Sequence, residues 1–269
     1  MRPEKADVSL ELSVVIPAHN EAARILPYLC SVVSYLTLEH RTFELIVVDD
    51  GSLDETASIV HQFAMHNPCV RLIRLPTCSG KGAAVRHGMQ AARGRRQLFT
   101  DADGATPIQE LPRLEQALEA GAQMAIGSRS LASRRSDFTV DARWHRSMLG
   151  SCFNLIVRLG GITGIADTQC GFKLFERTVA ADLFSLSCIN GYGFDLELLY
   201  IAQHRGYRIV EVPINWADQA GSKVRVLRDG VAMVRELMAI HRHAKKGFYS
   251  RPFVTPGFSS LASRSAVLE

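Results

Sequence analysis

Residues 98–104 have the sequence LFTDADG, a short apolar run that ends in two aspartates and a glycine. Residues 45–52, LIVVDDGS, repeat this arrangement. Apolar runs that stop at acidic and turn-forming residues are typical of buried strands. Similar runs at 12–16, 70–75 and 124–126 alternate with segments in which apolar residues have helical spacing. The pattern predicts a Rossmann-like α/β fold, with a mostly parallel sheet and helices on both faces.

The second half of the chain is less regular. Apolar patterns predict strands over 170–175 and 207–213, and helices over 146–159, 194–203 and 226–243. We expect a single domain over residues 1–248. Residues 249–269 contain two prolines and many serines, and for this segment we expect a flexible tail.

Composition and charge argue against several functional classes. The 31 Lys and Arg residues exceed the 27 Asp and Glu residues to give a net charge of +4, which is too small to indicate nucleic-acid binding. The cysteines and histidines form no CxxC or HExxH pair, so we expect no zinc site. The N-terminus is charged and the sequence has no long apolar run, so we expect neither a signal peptide nor a transmembrane helix.

Two pairs of acidic residues fall where predicted strands end, which is where parallel α/β sheets bind ligands. Asp101 and Asp103 are spaced so that both can hold a hard divalent cation, with ligand phosphates completing its shell. The alternative is that Asp103 or Thr106 caps the helix that follows Pro107. Asp49 and Asp50 form the second pair, for which turn formation is the alternative role.

Lys81 lies between two glycines at the predicted start of a helix, where backbone N–H groups attract anions. No Walker motif is present. A phosphatase of the haloacid dehalogenase type would need DxDx[TV] after its first strand, whereas DAD follows the fourth predicted strand and precedes Gly104 and Ala105. This phosphatase class is therefore disfavoured.

Taken together, four blocks of the sequence resemble glycosyltransferase family 2: SVVIPAHNE at 13–21, IVVDDGS at 46–52, GKGAA at 80–84 and DADG at 101–104. Later blocks are similar to the dolichyl-phosphate β-glucosyltransferases, and less so to the related mannose synthases: DTQCGFKLF at 167–175, FDLELLYIAQ at 194–203, and NW at 215–216 with GSK at 221–223. The resemblance covers residues 12–245.

The resemblance implies a GT-A fold and an enzyme, a metal-dependent hexosyltransferase that inverts the configuration at the anomeric carbon. The late blocks favour UDP-glucose as the donor, and the resemblance implies a polyprenyl (dolichyl-type) phosphate as the acceptor. A mannose synthase that uses GDP-mannose is the first alternative. The second is a non-catalytic module that binds sugar nucleotides or polyprenyl phosphates.

The resemblance also assigns site residues. Pro17, His19 and Glu21 match the stretch that holds the nucleobase, and Asp50 matches the nucleoside-binding acid. With Lys81, these residues and the DxD motif form the expected nucleotide-sugar site. Asp101 and Asp103 match the motif that binds Mg²⁺ or Mn²⁺ and the diphosphate.

Further positions match basic residues that grip the diphosphate and the acceptor phosphate, namely Arg129, Arg146 and Lys223. Asp195 lies where some family members place a base, and its alternative role is to orient Lys or Arg side chains. The sequence departs from the mannose synthases at Ala105, where they have a glutamine metal ligand, and at Gly150, where a serine near the acceptor phosphate is replaced.

A lipid acceptor implies contact with a membrane. The eukaryotic glucosyltransferases have an N-terminal anchor for which we expect no counterpart here, so we expect a cytoplasmic protein bound peripherally to the cytosolic face. The helix predicted over 226–243 has a basic stripe, Arg228, Arg235 and Arg242, followed by Lys245 and Lys246. The helix over 146–159 has a wide apolar arc, which could equally face the core. A membrane partner subunit is the alternative means of attachment.

Overall fold

The computed structural model describes residues 10–141, 161–219 and 226–250, with the backbone alone for residues 226–229 and 231. The helix predicted over 146–159 and two of the predicted phosphate-binding residues, Arg146 and Lys223, lie outside the described residues.

The first half of the chain alternates strands and helices, as predicted. Its elements are β1 (Leu12–Ala18), α1 (Ile25–Leu38), β2 (Phe43–Asp50), α2 (Thr56–His66), β3 (Val70–Leu75), α3 (Lys81–Ala91), β4 (Arg96–Thr100), a 3₁₀ turn (Ile108–Glu110), α4 (Leu111–Glu119) and β5 (Met124–Ser128). The second half adds α5 (Arg129–Ala132), β6 (Val140–Asp141), β7 (Phe172–Glu176), α6 (Arg177–Leu186), α7 (Phe194–His204), β8 (Ile209–Pro213), β9 (Trp216–Ala217), α8 (Val226–Lys245) and a 3₁₀ turn (Phe248–Ser250).

Seven strands form one sheet in the order β3-β2-β1-β4-β7-β5-β8. All neighbouring pairs are parallel except those of β7, which runs antiparallel to both β4 and β5. The mostly parallel α/β fold is therefore confirmed. The reversed β7 brings the start of that strand to the edge at which β1, β2 and β4 end.

Strands β1, β2, β4, β5 and β7 are buried along almost their whole length, which explains why they show little polar alternation. Along β1, Val14 and Ile16 pack into one apolar cluster with residues of α1 and α4. Val15 packs into the other, with residues of α3, α6 and α7. Because successive strand residues point to opposite faces, this one strand contributes to both cores.

Tyr249 corrects the expected boundary of the C-terminal tail. Its side chain is fully buried, and its hydroxyl donates a hydrogen bond of 2.8 Å to the Glu197 carboxylate of α7. Residue 249 therefore belongs to the folded domain, because the aromatic ring packs in the core and the hydroxyl has a buried partner. Ser250 ends the last 3₁₀ turn, and residues 251–269 of the predicted tail lie outside the described residues.

Within the described parts of the chain, no helix combines the length and apolar character needed to cross a bilayer.

Gly88 allows α3 to approach the sheet closely. A Cβ at this position would overlap the Val15 side chain and lie 2.9 Å from Cγ2 of Val48. We expect Gly88→Ala to lower the free energy of unfolding by about 1–3 kcal/mol, although alanine is the better helix former. The measurement is urea denaturation, with His87→Ala on the exposed face of α3 as the control. That control should change stability by about 0.5 kcal/mol or less. Unchanged stability of Gly88→Ala would contradict the close packing.

Candidate active site

A cleft of about 310 Å³ opens where β1, β2 and β4 end. It lies at the carboxyl edge of the parallel strands, as expected for ligand sites in such sheets. The structure brings together in its lining every residue that the sequence assigned to nucleotide-sugar binding, namely Pro17, His19, Glu21, Asp50, Lys81, Asp101 and Asp103.

Asp101 follows β4 directly and its carboxylate is held by Lys81. The Lys81 ammonium lies 2.7 Å from Oδ1 of Asp101, and the Asp101 N–H donates to the Gly171 carbonyl at 3.1 Å. Burial by itself would lower the pKa of Lys81, but the negative charges of Asp101 and Asp195 outweigh it and raise that pKa. Lys81 is therefore a fixed positive charge at the start of α3.

Asp103 also faces the cleft. Its Oδ1 accepts a hydrogen bond from the Ala105 N–H at 3.1 Å, and Oδ2 lies 3.8 Å from the Arg24 guanidinium. Burial and the neighbouring Asp101 charge raise the pKa of Asp103. The 3₁₀ turn after Pro107 has no side-chain cap. Neither Asp103 nor Thr106 therefore has the helix-capping role that was the alternative.

Asp50 joins β2 to the loop before α3. Its buried carboxylate accepts hydrogen bonds from the N–H groups of Ser79 at 2.7 Å and Gly80 at 2.8 Å. The imidazole Nδ1 of His19 donates to the Asp50 carbonyl at 2.8 Å. Asp49 instead accepts from the Ser52 N–H, which is the turn-forming role. The two neighbouring aspartates thus have different tasks, and Asp50 is the one that lines the cleft.

Asp195 is only 2% exposed and contacts the buried ammonium of Lys173. Lys173 also donates to the Cys170 carbonyl at 2.7 Å. Burial raises the pKa of Asp195, against the lowering effect of Lys173 and Lys81. Of the two roles considered for Asp195, orienting lysine side chains is the one that fits these contacts.

Arg129 forms an ion pair next to the site and is not among the residues that line the cleft. Its guanidinium makes a bidentate contact with Asp167, at 2.7 and 2.8 Å, and its N–H donates to the same carboxylate at 2.9 Å. The guanidinium also lies 5.3 Å from the ring centroid of Trp216. Burial alone would lower the pKa of Arg129, but the charge and hydrogen bonds of Asp167 raise it. The binding of phosphate by Arg129 stays a prediction.

Three cleft features were missed from the sequence. Arg24 makes a bidentate contact with Glu21, at 2.8 Å for both bonds, and so links Glu21 to Asp103. Gly191 and Tyr192 line the cleft from the loop before α7. Gly171 packs on Asp101 so closely that a Cβ would overlap its carboxylate. The NGYG sequence at 190–193 marks a loop, but no local signal places it at the cleft.

Solved structures with the same architecture include mannosyl-3-phosphoglycerate synthase from Rubrobacter xylanophilus. It has a TM-score of 0.65 and 19% identity, over 92% of this chain and 78% of that one. Glucosyl-3-phosphoglycerate synthase from Mycobacterium tuberculosis, in complex with UDP, has a TM-score of 0.63 and 22% identity, over 90% and 81%. At these identities the likeness bears on the fold alone, and it confirms the GT-A fold.

Sequence comparisons define the family. The model of glycosyl transferase family 2 matches residues 13–184. Dolichyl-phosphate beta-glucosyltransferase of Drosophila melanogaster is 39% identical over 245 residues, 86% of this chain and 74% of that protein. The Saccharomyces cerevisiae protein of the same name is 34% identical over 262 residues, 90% and 78%. The human one is 36% identical over 241 residues, 86% and 74%. This chain therefore belongs to glycosyl transferase family 2, as the resemblance of its motifs predicted.

Proposed function

We propose that the protein transfers glucose from UDP-glucose to the phosphate of a dolichyl-type polyprenyl phosphate. The observation that carries the proposal is the convergence of the predicted donor residues in one cleft at the ends of three parallel strands. The curated relatives, which this chain matches over most of their length, are named dolichyl-phosphate beta-glucosyltransferases. Their names support both the acceptor and the sugar. UDP is bound in a structural neighbour.

The aspartate pair fits a divalent cation, Mg²⁺ or Mn²⁺. Asp101 and Asp103 provide hard oxygen ligands in the lining of the cleft, and these cations use one or two carboxylates together with substrate phosphates. Burial of Asp103 and the neighbouring charge of Asp101 raise the pKa of Asp103, and a cation between the two carboxylates would offset this repulsion. A neighbouring structure contains Mn²⁺ with UDP. The bound cation would supply positive charge to the departing diphosphate.

In the proposed reaction, an oxygen of the acceptor phosphate attacks the anomeric carbon from the face opposite the diphosphate. The bond from that carbon to the UDP oxygen breaks, UDP leaves with the electron pair, and the configuration at the anomeric carbon is inverted. A phosphate is already anionic near neutral pH, so the nucleophile needs no strong general base. The main requirement is stabilisation of charge, to which Lys81 contributes at the start of α3.

The donor end of the cleft is built for a nucleoside. We assign Pro17, His19 and Glu21 at the end of β1 and Asp50 at the end of β2 to base and ribose contacts, because they line the same cleft as the DxD motif and follow strands on one side of β4 in the sheet. The hydrogen bonds that Asp50 accepts from the backbone fix its carboxylate before a ligand arrives. The binding role of Arg146 and Lys223 toward the acceptor phosphate stays a prediction.

The decisive experiment is a donor screen. We expect radiolabelled glucose to move from UDP-glucose to a short polyprenyl phosphate in the presence of Mg²⁺ or Mn²⁺, and the product to partition into the organic phase. EDTA should abolish transfer, and Asp103→Asn should lower kcat/KM by about two to three orders of magnitude because a metal ligand is lost.

The alternatives predict different results. Faster transfer from GDP-mannose would identify a mannose synthase, and binding of UDP without transfer would identify a non-catalytic module. Full activity in EDTA would contradict the metal role of Asp101 and Asp103. Asp137→Asn, in an exposed ion pair with Arg135, is the matched control and should retain activity.

Gly171 provides a second test of the Asp101 position. A side chain at residue 171 has to displace the Asp101 carboxylate, so Gly171→Ala should reduce transfer about tenfold or more and weaken binding of UDP with Mn²⁺. Calorimetry measures the binding, and thermal unfolding serves as the control for folding. Wild-type UDP affinity in this variant would show that the Asp101 position is unimportant.

We also propose peripheral attachment to the cytosolic face of a membrane through α8. Met233, Leu237 and Ile240 are buried against the domain. The outward stripe contains Arg235, Arg242 and Lys245, which are exposed, and Met238, which is 55% exposed. An apolar side chain among cations suits the surface of an anionic bilayer. Arg228 lies in the part of α8 for which the side chains are not described.

Vesicle binding tests this attachment. We expect the protein to sediment with vesicles that contain anionic lipid, with weaker binding at high salt. Charge reversal at Arg235, Arg242, Lys245 and Lys246 should weaken it further, because each cation near such a surface contributes about 1 kcal/mol. Charge reversal of Arg95, which is exposed beside the amino end of β4, is the control. Wild-type protein that stays in the supernatant at low salt would instead indicate a membrane partner subunit.

A further inference from the structure

The loop between α6 and α7 forms one wall of the candidate donor site. Gly191 and Tyr192 line the cleft, and the Tyr192 ring centroid lies 5.9 Å from the Lys81 ammonium. The position of this loop therefore sets the space available beside Lys81 and the DxD motif.

On one side, the loop is fixed to the start of α3. The Asn190 carbonyl accepts hydrogen bonds from the N–H groups of Gly82 at 2.7 Å and Ala83 at 3.3 Å. These are N–H groups of the first helical turn, which have no acceptor within their own helix. The Asn190 side-chain oxygen accepts another hydrogen bond, from Arg86 at 2.7 Å.

On the other side, the loop is fixed to α8 by Glu236. The Gly193 N–H donates to Glu236 Oε2 at 2.7 Å, and the Gly191 N–H also bonds to this carboxylate. A Cβ on Gly193 would lie 2.6 Å from Oε2, and one on Gly191 would overlap Oε1. Gly193 has an ordinary φ of −72°, so closeness to Glu236 and not backbone conformation explains why a glycine suits this position.

We propose that Glu236 is a positioning residue for the donor site. From α8 it holds residues 191–193 against the start of α3, and so keeps Tyr192 and Lys81 in the geometry that receives the donor diphosphate. The proposal rests on the proposed function only for the identity of that ligand. Glu236 neighbours Arg235, so the helix proposed to meet the lipid surface also supports the donor cleft.

The substitution that tests this is Glu236→Gln, which keeps one acceptor oxygen but places an amide NH₂ against the second backbone N–H. We expect it to weaken binding of UDP with Mn²⁺ about tenfold, the effect of one lost hydrogen bond to a charged group. KM for UDP-glucose should rise more than kcat falls. Glu236→Ala, which removes both acceptors, should weaken binding further.

The matched control is Asp182→Asn. Asp182 is also a buried carboxylate that joins separate elements: it contacts Arg205 and accepts a hydrogen bond from Tyr207 at 2.7 Å. It lies outside the cleft lining, so this variant should lose thermal stability and retain its affinity for UDP. UDP binding that falls with melting temperature equally in both variants would overturn the positioning role.

Hydrogen–deuterium exchange gives a readout that needs no ligand. Glu236→Gln should speed exchange at Gly82 and Ala83 as well as at residues 189–193, whereas Asp182→Asn should not. Unchanged exchange at Gly82 and Ala83 would refute the proposal. If exchange changes as expected but the wild-type protein binds no UDP, the donor assignment fails and the mechanical link from Glu236 to α3 stands.

Discussion

The carboxylate of Asp101 is held between two neighbours from different parts of the chain, and the geometry of the cleft depends on this contact. The Lys81 ammonium binds one of its oxygens, and Gly171 leaves just enough room for the group. Lys81 stands at the start of α3, and Gly171 immediately precedes β7. Three elements, β4, α3 and β7, must therefore pack together before the DxD motif can face a ligand.

The reversed direction of β7 makes that meeting possible. Thr100 at the end of β4 pairs with Phe172 at the start of β7, and so the preceding Gly171 lies beside Asp101. A parallel strand in the same place would put its carboxyl end there instead. The antiparallel strand also places the Lys173 ammonium 5.9 Å from the ring centroid of Phe99, where the contact with Asp195 balances its charge.

These contacts separate what the sequence could predict from what it could not. Strands and helices of the first half follow from apolar periodicity, and the strand-end rule placed Asp50, Asp101 and Asp103 together because that rule depends only on parallel order. The direction of β7 was not predictable, since the sequence of a strand that is buried on both faces carries no sign of its direction in the sheet. The ion pair between Arg129 and Asp167 was not predictable either, because the two residues are distant in sequence and composition carries no sign of such a pair.

The glycines around Lys81 illustrate how a correct prediction can be incomplete. GKG at 80–82 indicated a helix start that attracts anions, and Lys81 does begin α3. Gly80 has a φ of +103°, which favours glycine, but Gly82 is needed for another reason: a Cβ there would lie 2.6 Å from Cβ of Phe194 and crowd the loop before α7. The same small residues thus expose N–H groups and admit the Asn190 carbonyl that satisfies two of them. Since those two groups are already bonded, the positive charge offered to a diphosphate comes chiefly from the Lys81 ammonium and less from the helix start.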